Sequence, residues 1–517
     1  MSDRANDIAL ELDGFGLTGD DVAAVAREGR SVRLGSAAIE RMERSAAIVA
    51  RLASSEIPVY GVSTGFGSLA NTVIPADRRE ELQRAIVRSH AAGMGPPIET
   101  EVVRAMMLLR ARTLAMGYSG ARPVVAEVML ELLNAELTPI VPEFGSLGAS
   151  GDLAPLAACA LVLVGEGAVT DAEGHAVDGR TALARIGRDP VALTAKEGLA
   201  LVNGTDGMLG MLLLAITDLR QLLVAADVVA AITIEGLLGT DRPFTAELQA
   251  LRPQVGQAAS AANLMALLAD SEIVASHREG DDRVQDAYSL RCTPQVHGSV
   301  RDIVNFADGI ATIELGSAID NPMILADGRV ESCGNFHGAP LAHAADYLAV
   351  AVADLGALSE RRTDRMLDRN RSHGLPPFLT EDAGVNSGMM IAHYTQAAMT
   401  AENRRLAAPA SVDSIPTSAL QEDHVSLGWS ACRKLRKAVD NLGAILAVEL
   451  VCGARALDFR SPLAPAPATA AVQAALRTVV AGPGSDRWLA PELAAAVSFV
   501  ATGRVATAVA EAGITLT

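Results

Sequence analysis

LALVNGTDGMLGMLLLAITDLRQLLVAADVVAAITIEGLL, residues 199–238, is the most apolar stretch of the chain, and whether it spans a membrane or fills a protein core decides the fold. Asn203, Asp206, Asp218, Arg220, Gln221 and Asp227 interrupt it. Those are too many polar groups for a lipid-facing span, where each would lack a partner. The stretch therefore predicts a long buried helix. The composition agrees: half of the 517 residues are hydrophobic but only 3% are aromatic. Apolar mass made of Ala, Leu and Val suits close-packed helices better than sheets.

Working outward, helical periodicity covers residues 78–92, 101–116 and 124–135, then about 208–237, 259–268, 300–318, 341–370, 388–406 and 424–457, with a last helix from Pro491. Residues 1–60 look mixed, with the β-leaning run Ile57-Pro58-Val59-Tyr60 ending in a Gly-rich loop. Residues 167–193 read as hairpins and turns, and Asp327-Gly328 joins a small hairpin. The fold class is mainly α: a mixed N-terminal domain over 1–205, and long helices with a C-terminal helical segment over 206–517.

A formal charge of −18 (43 basic against 61 acidic residues) argues against nucleic acid or an anionic membrane as partner. The five cysteines form no CxxC and the histidines are dispersed, so neither a disulfide framework nor a metal site is indicated. That cysteine usage fits a reducing cytoplasm, and the first residues, which carry acids and lead into no signal-type apolar core, bear no mark of export. Gly61-Val62-Ser63-Thr64-Gly65 matches a nucleophile elbow, and Gly65-x-Gly67-x-x-Ala70 a loose dinucleotide fingerprint. Neither opens a clear helix or sits in a βαβ unit. The arginines between Arg361 and Arg371 alternate with acids and read as a solvated or interface face.

Gly145-Ser146-Leu147-Gly148-Ala149-Ser150-Gly151-Asp152-Leu153-Ala154-Pro155 has two readings. One is a loop entering a helix, with Ser150 or Asp152 as N-cap and Pro155 in the first turn. In the other, Gly151 N attacks the Ala149 carbonyl carbon and two waters are lost, one carrying the Ser150 hydroxyl. The product is a ring with an exocyclic methylidene, an electrophile that no ordinary side chain supplies. Gly151 lets the backbone fold tightly, Ala149 crowds nothing, and Asp152 can relay protons.

This motif, together with Glu197-Gly-Leu-Ala-Leu-Val-Asn-Gly-Thr205, Gln285-Asp-Ala-Tyr-Ser-Leu-Arg291, Gly334-Asn-Phe-His337 and Gln421-Glu-Asp-His-Val-Ser426, resembles the histidine ammonia-lyases of the aromatic amino acid lyase family, actinobacterial branch. The resemblance covers nearly the whole chain. It implies a fumarase/aspartase-like bundle of long antiparallel helices, assembled as a homotetramer whose sites draw on several subunits. It implies a methylidene-imidazolone cofactor (MIO) formed from Ala149, Ser150 and Gly151, with Asp152 assisting closure and Phe336 packed close to the ring; no metal or nucleotide is implied.

By the same resemblance Tyr60 removes the β-proton, and a phenol needs nearby positive charge for that role. Arg291 grips the substrate carboxylate, with Tyr288 beside the cofactor, three residues away on one helical turn. Asn203 hydrogen-bonds near the cofactor and the carboxylate, and Gln285 joins this polar set. His90 and Glu422 meet an imidazole ring, with Glu422 either binding the ring or sharing the base role with Tyr60. A carboxylate suits an imidazole and would be an unpaired burden beside a phenyl ring. The expected reaction is release of ammonia from L-histidine to give trans-urocanate. A tyrosine or phenylalanine lyase or aminomutase, a hydrolase built on Ser63, and an inactive helical assembly protein are the alternatives.

Overall fold

The computed structural model describes residues 9–54, 59–281 and 283–517. Helices make up 59% of the chain. Its contacts divide into two compact units. The first comprises Met1–Thr217, Asp308–Asp346 and Pro409–Arg433, and the second Asp218–Ala307, Tyr347–Ala408 and Lys434–Thr517.

The first unit carries helices α1 (Ser36–Ala53), α2 (Arg79–His90), α3 (Thr100–Ala115), α4 (Pro123–Asn134), α5 (Leu153–Leu163) and the short α6 (Glu197–Val202). Local chemistry sets their ends. Glu80 and Glu81 lie in the first turn of α2 and Arg88 in its last, each sign on the favourable end of the helix dipole. Pro123 opens α4, where its missing N–H costs nothing. From Val102 to Ala115, α3 is buried throughout, and its arginines survive burial by donating to carbonyls: Arg104 to Ala26, Val25 and Leu133, Arg110 to Ala200, Asn203 and Ile319.

Strands are short. Leu10–Leu12 pairs in parallel with Val32–Leu34, Met94–Pro97 with Pro142–Phe144, and Ala168–Thr170 forms a hairpin with Ala176–Asp178 that also pairs with Thr138–Pro139. The Asp327-Gly328 hairpin forms, with Met323 opposite Glu331. Of the β-leaning run, Ile57 and Pro58 lie outside the described residues. Val59 and Tyr60 are not strand: residues 60–63 form a turn closed by Val59 N–H donating to Ser63 Oγ at 2.9 Å.

The decisive apolar stretch becomes α7 (Asp206–Gly236), followed by α8 (Thr293–Leu315), α9 (Ala339–Leu367), α10 (Met390–Leu406) and α11 (Gly428–Phe459). By length and composition α7 and α9 could each cross a membrane, but 72% of the most apolar window of α7 is buried within the protein. Its buried acids, the interrupting Asp227 and also Glu235, have protein partners. Asp227 accepts from Arg301 at 2.7 Å and Asn263 at 2.9 Å and pairs with His297 at 2.7 Å; Glu235 accepts from Ser271 at 2.6 Å and the Ala466 N–H at 2.7 Å. These bonds are what an acid needs to survive in a core.

Within the second unit α7 and α11 run in the same direction, with Leu222 beside Gly443 and Ile232 beside Gly453. Helix α10 runs against α11: Gln396 donates to the Ile445 carbonyl and Asn403 to that of Ala438. The arginine-rich end of α9 is mostly the paired surface expected, Arg371 bonding Asp364 and Asp368. Arg362 departs from it. Fully buried, it forms a two-pronged bond to Glu449 at 2.5 and 2.9 Å, because its turn of α9 faces α11 rather than solvent. The five cysteines are all free thiols.

Candidate active site

The Gly145–Pro155 stretch runs into α5, and Asp152 occupies its N-cap position without capping it. Instead Asp152 Oδ2 accepts from the Met208 N–H at 2.9 Å, at the start of α7, and Oδ1 lies 3.0 Å from Ser146 Oγ. The loop is held from both sides. Leu427 N–H donates to Leu147 O and Ser426 Oγ to Gly148 O, while Asp152 N–H donates to Gly204 O at 2.7 Å. Gly151 has φ +79°, and a Cβ there would lie 2.0 Å from Gly204 O. Only glycine fits. Burial pushes the Asp152 carboxyl up to about 7, against hydrogen bonds from Met208 and Ser146 that pull it down.

Ser150 faces a cavity of about 450 Å³ lined also by Tyr60, His90, Asn203, Asn321 and Glu422. An adjoining cavity of about 430 Å³ shares Tyr60, Ser150 and Glu422 and adds Ala149, Cys333 and Phe336. Side chains from five separate segments thus meet around the tripeptide. Tyr60 accepts from the Gly67 N–H at 3.3 Å, with Phe66 edge-on at 6.3 Å. Burial raises its phenol above the ordinary value, and the charges of Glu422 and Asp320 raise it further. Among the described residues no lysine or arginine lines either cavity.

His90 ends α2, its Nδ1 3.1 Å from Ser89 Oγ, and burial holds the ring below its usual range while Glu422 pulls it upward. Glu422 is fixed by Thr417, whose hydroxyl donates to Oε2 at 2.9 Å and whose backbone pairs with that of Glu422. The turn between them, Ser418–Leu420, is left-handed at all three residues. Asn203, at the end of α6, donates both amide hydrogens, to Asp320 Oδ1 at 3.0 Å and Asn321 O at 3.1 Å. Both neighbours are acceptors, so the orientation is forced and Oδ1 is the atom left to face the cavity. Asp320 is itself held by Lys196 at 2.7 Å, a fully buried ion pair.

Gln285, Tyr288 and Arg291 belong to the second unit and line neither cavity. Gln285 and Arg291 line another cavity, of about 430 Å³. The Arg291 guanidinium stacks over the Tyr288 ring at 4.6 Å and forms no ion pair among the described residues; its buried Nε has no hydrogen-bond partner. Ser63 is spent on closing its own turn and only 1% exposed, and no α-helix follows, so it is no nucleophile elbow. Lys196, Asp320, Asn321 and Thr417 join the site without a motif to announce them. Only the φ of +68° at Lys196 marks it as unusual, and that is visible in three dimensions alone.

The aromatic amino acid lyase family model matches residues 17–478. The chain belongs to the aromatic amino acid lyase family. It is thus an enzyme, a lyase. It is 58% identical over 497 residues to the histidine ammonia-lyase of Streptomyces griseus, an alignment covering 96% of this chain and 97% of that one. Among solved structures it is similar to tyrosine aminomutase from Streptomyces globisporus, with a TM-score of 0.93 and 37% identity over 99% of this chain and all of that one. It is also similar to histidine ammonia-lyase from Trypanosoma cruzi, with a TM-score of 0.90 and 37% identity over 98% of this chain and 96% of that one.

Proposed function

We propose that the chain is a histidine ammonia-lyase that eliminates ammonia from L-histidine to give trans-urocanate, using a methylidene-imidazolone closed from Ala149, Ser150 and Gly151. The observation that carries this reading is the convergence of Glu422 and His90 on the cavity that Ser150 faces. An anchored carboxylate is a partner for imidazole N–H and would stand unpaired against a hydrocarbon ring. The 58% identity to a histidine ammonia-lyase supports the same substrate.

The tripeptide's setting fits the cofactor: glycine where no Cβ is tolerated, a hydroxyl on the cavity wall, and a carboxyl poised near neutrality beside it. Once formed, the methylidene supplies an electron sink that turns the amine into a leaving group. The chain's own residues do the rest. Tyr60 removes the β-proton, Asn203 offers an acceptor oxygen, Phe336 shields the tripeptide, and Glu422 orients the imidazole or shares the base role with Tyr60.

Tyr60 alone is a poor base, because burial and two carboxylates raise its pKa and no lysine or arginine among the described residues lines the cavity. Arg291, without an ion pair among the described residues, is a cation that would both receive the substrate carboxylate and lower the phenol's pKa. We infer that a neighbouring copy in a homotetramer supplies it, with Tyr288 and Gln285, in the cytoplasm. The enzyme then needs neither metal nor nucleotide.

The test is incubation of the purified enzyme with histidine, tyrosine and phenylalanine in parallel, following the ultraviolet absorbance of each unsaturated acid. Urocanate is the expected main product, and Ser150→Ala should abolish it. Cinnamate or coumarate in preference to urocanate would overturn the substrate, and full turnover by Ser150→Ala would overturn the cofactor.

A further inference from the structure

One hydroxyl in the loop before α5 has bonds that its place in the sequence does not require. Ser146 Oγ accepts the Gly148 N–H at 3.1 Å, on the near side of the tripeptide. The same oxygen lies 3.0 Å from Asp152 Oδ1 and 3.4 Å from the Gly151 carbonyl oxygen, on the far side. It is 9% exposed and Asp152 is fully buried, so water does not compete for these bonds. Ser426 and Gly204 hold the loop from outside, at Gly148 O and at the Asp152 N–H. Ser146 spans it from within, joining Gly148, just before the three residues that would react, to Gly151, the last of them, and to Asp152 just after.

We propose that Ser146 is a positioning residue for ring closure, its hydroxyl drawing the two flanks of Ala149-Ser150-Gly151 together and aiming the Asp152 carboxyl at the reacting backbone. The inference rests on the cofactor reading above. In the first step the Gly151 N–H adds to the carbonyl carbon of Ala149. A bond forms from that nitrogen to that carbon, and the carbonyl oxygen leaves as water with the hydrogens of the Gly151 and Ser150 nitrogens. In the second, Ser150 loses its Cα hydrogen and its hydroxyl as another water, leaving the Cα=Cβ double bond. Atoms balance with no oxidant and no co-reactant.

Both steps ask one group to take a proton and return it to a departing oxygen. A carboxyl that changes state near neutrality does this best, and Asp152 is one. Restricting the loop also removes the conformational entropy that closing a five-membered ring would otherwise cost. Without the hydroxyl, Gly148 N–H loses its acceptor, the near flank is released, and Asp152 loses one of the groups that aim it.

The experiment follows maturation, not turnover. The full-length chain and its Ser146→Ala and Ser146→Thr variants are made by cell-free synthesis, sampled over time and digested. The peptide spanning residues 145–155 is then weighed; the processed form is lighter by two water molecules. Ser146→Ala should mature roughly tenfold or more slowly than wild type, with helical circular dichroism unchanged, and Ser146→Thr, which keeps the hydroxyl, should recover most of the rate. Maturation of Ser146→Ala at the wild-type rate would overturn the proposal. So would loss of helical signal in Ser146→Ala with no recovery in Ser146→Thr, which would mark Ser146 as a folding residue. A wild-type peptide that never loses the two waters would sink the cofactor reading instead, so the two failures are distinct.

Discussion

Two turns border the Ser150 cavity, and each takes a left-handed backbone in a different way. In the loop before α5 the positive φ angles fall on glycines alone, Gly145 (+157°), Gly148 (+65°) and Gly151 (+79°). In the Thr417–Glu422 turn they fall on Ser418 (+51°), Ala419 (+51°) and Leu420 (+68°), all bearing side chains. The difference lies in the surroundings. A Cβ on Gly151 would sit 2.0 Å from Gly204 O and one on Gly148 2.1 Å from Ser426 Oγ, whereas Leu420 is 70% exposed and its side chain has room. Left-handed geometry alone costs a side-chain-bearing residue about 1–2 kcal/mol. The second turn accepts that cost because reciprocal backbone bonds and the Thr417 hydroxyl over-determine it. Glycine therefore marks where a neighbouring segment crowds the backbone, by its carbonyl at Gly151 and by a side-chain hydroxyl at Gly148, not every place where φ is positive.

The sharpest way to break this contrast is Gly151→Ala. The new methyl meets a backbone carbonyl, which no rotamer can avoid, so the Asp152 N–H bond to Gly204 O must open. We expect activity to fall by about a hundredfold or more, equivalent to ~3 kcal/mol or more. The peptide over residues 145–155 should remain unprocessed by mass. If Gly151→Ala matures and turns over normally, close approach is not what demands glycine there.

A smaller effect is expected at the second turn, where geometry serves Glu422 and not the backbone reaction. Glu422→Gln keeps the shape and removes the charge, which should lower kcat by about 10- to 100-fold. The sign of its pH effect is fixed. The Glu422 charge raises the Tyr60 pKa, so its removal lowers that pKa, and activity should begin to rise at a lower pH than in wild type. Thr417→Val removes one hydrogen bond to the carboxylate and should cost roughly tenfold, chiefly in KM for histidine. Steady-state kinetics across pH check both variants, and an unshifted profile for Glu422→Gln would uncouple Glu422 from Tyr60.

The same contrast explains what the sequence made legible. The long helices were readable because α7 is apolar on every face and the Gly and Pro punctuation is strong. Their ends were less so. Helix α8 starts at Thr293 rather than 300 because Pro294 fits its first turn, and α11 starts at Gly428 rather than 424 because residues 417–427 are committed to the turn and to Leu147. In the site, Ala149, Ser150 and Gly151 were legible because the chemistry is local. Tyr60, His90, Asn203, Phe336 and Glu422 came from motif order alone, since nothing in spacing joins segments so far apart. Lys196, Asp320 and Thr417 were invisible because each acts on another residue's side chain, and a one-dimensional pattern records no such partner. Arg362 misled for the same reason: the run of arginines and acids around it reads as a charged face, but its partner, Glu449, is on another helix.

The smallest expected effect sharpens the comparison most, because it reverses the usual sign. Leu420→Gly removes a side chain from a left-handed position where little apolar surface is buried. Relief of the backbone penalty is about 1–2 kcal/mol, and the added freedom of glycine in the unfolded chain takes back roughly 0.5–1 kcal/mol. The net should be neutral to slightly stabilising, up to about 1 kcal/mol, with histidine turnover unchanged because Thr417 still holds Glu422. Thermal unfolding of the two proteins in the same buffer gives the sign. A clear drop in Tm would mean that the Leu420 side chain is covered in the working enzyme, and a drop in kcat at unchanged Tm would mean that the stiffness of the turn, and not only its shape, keeps Glu422 aimed at the cavity.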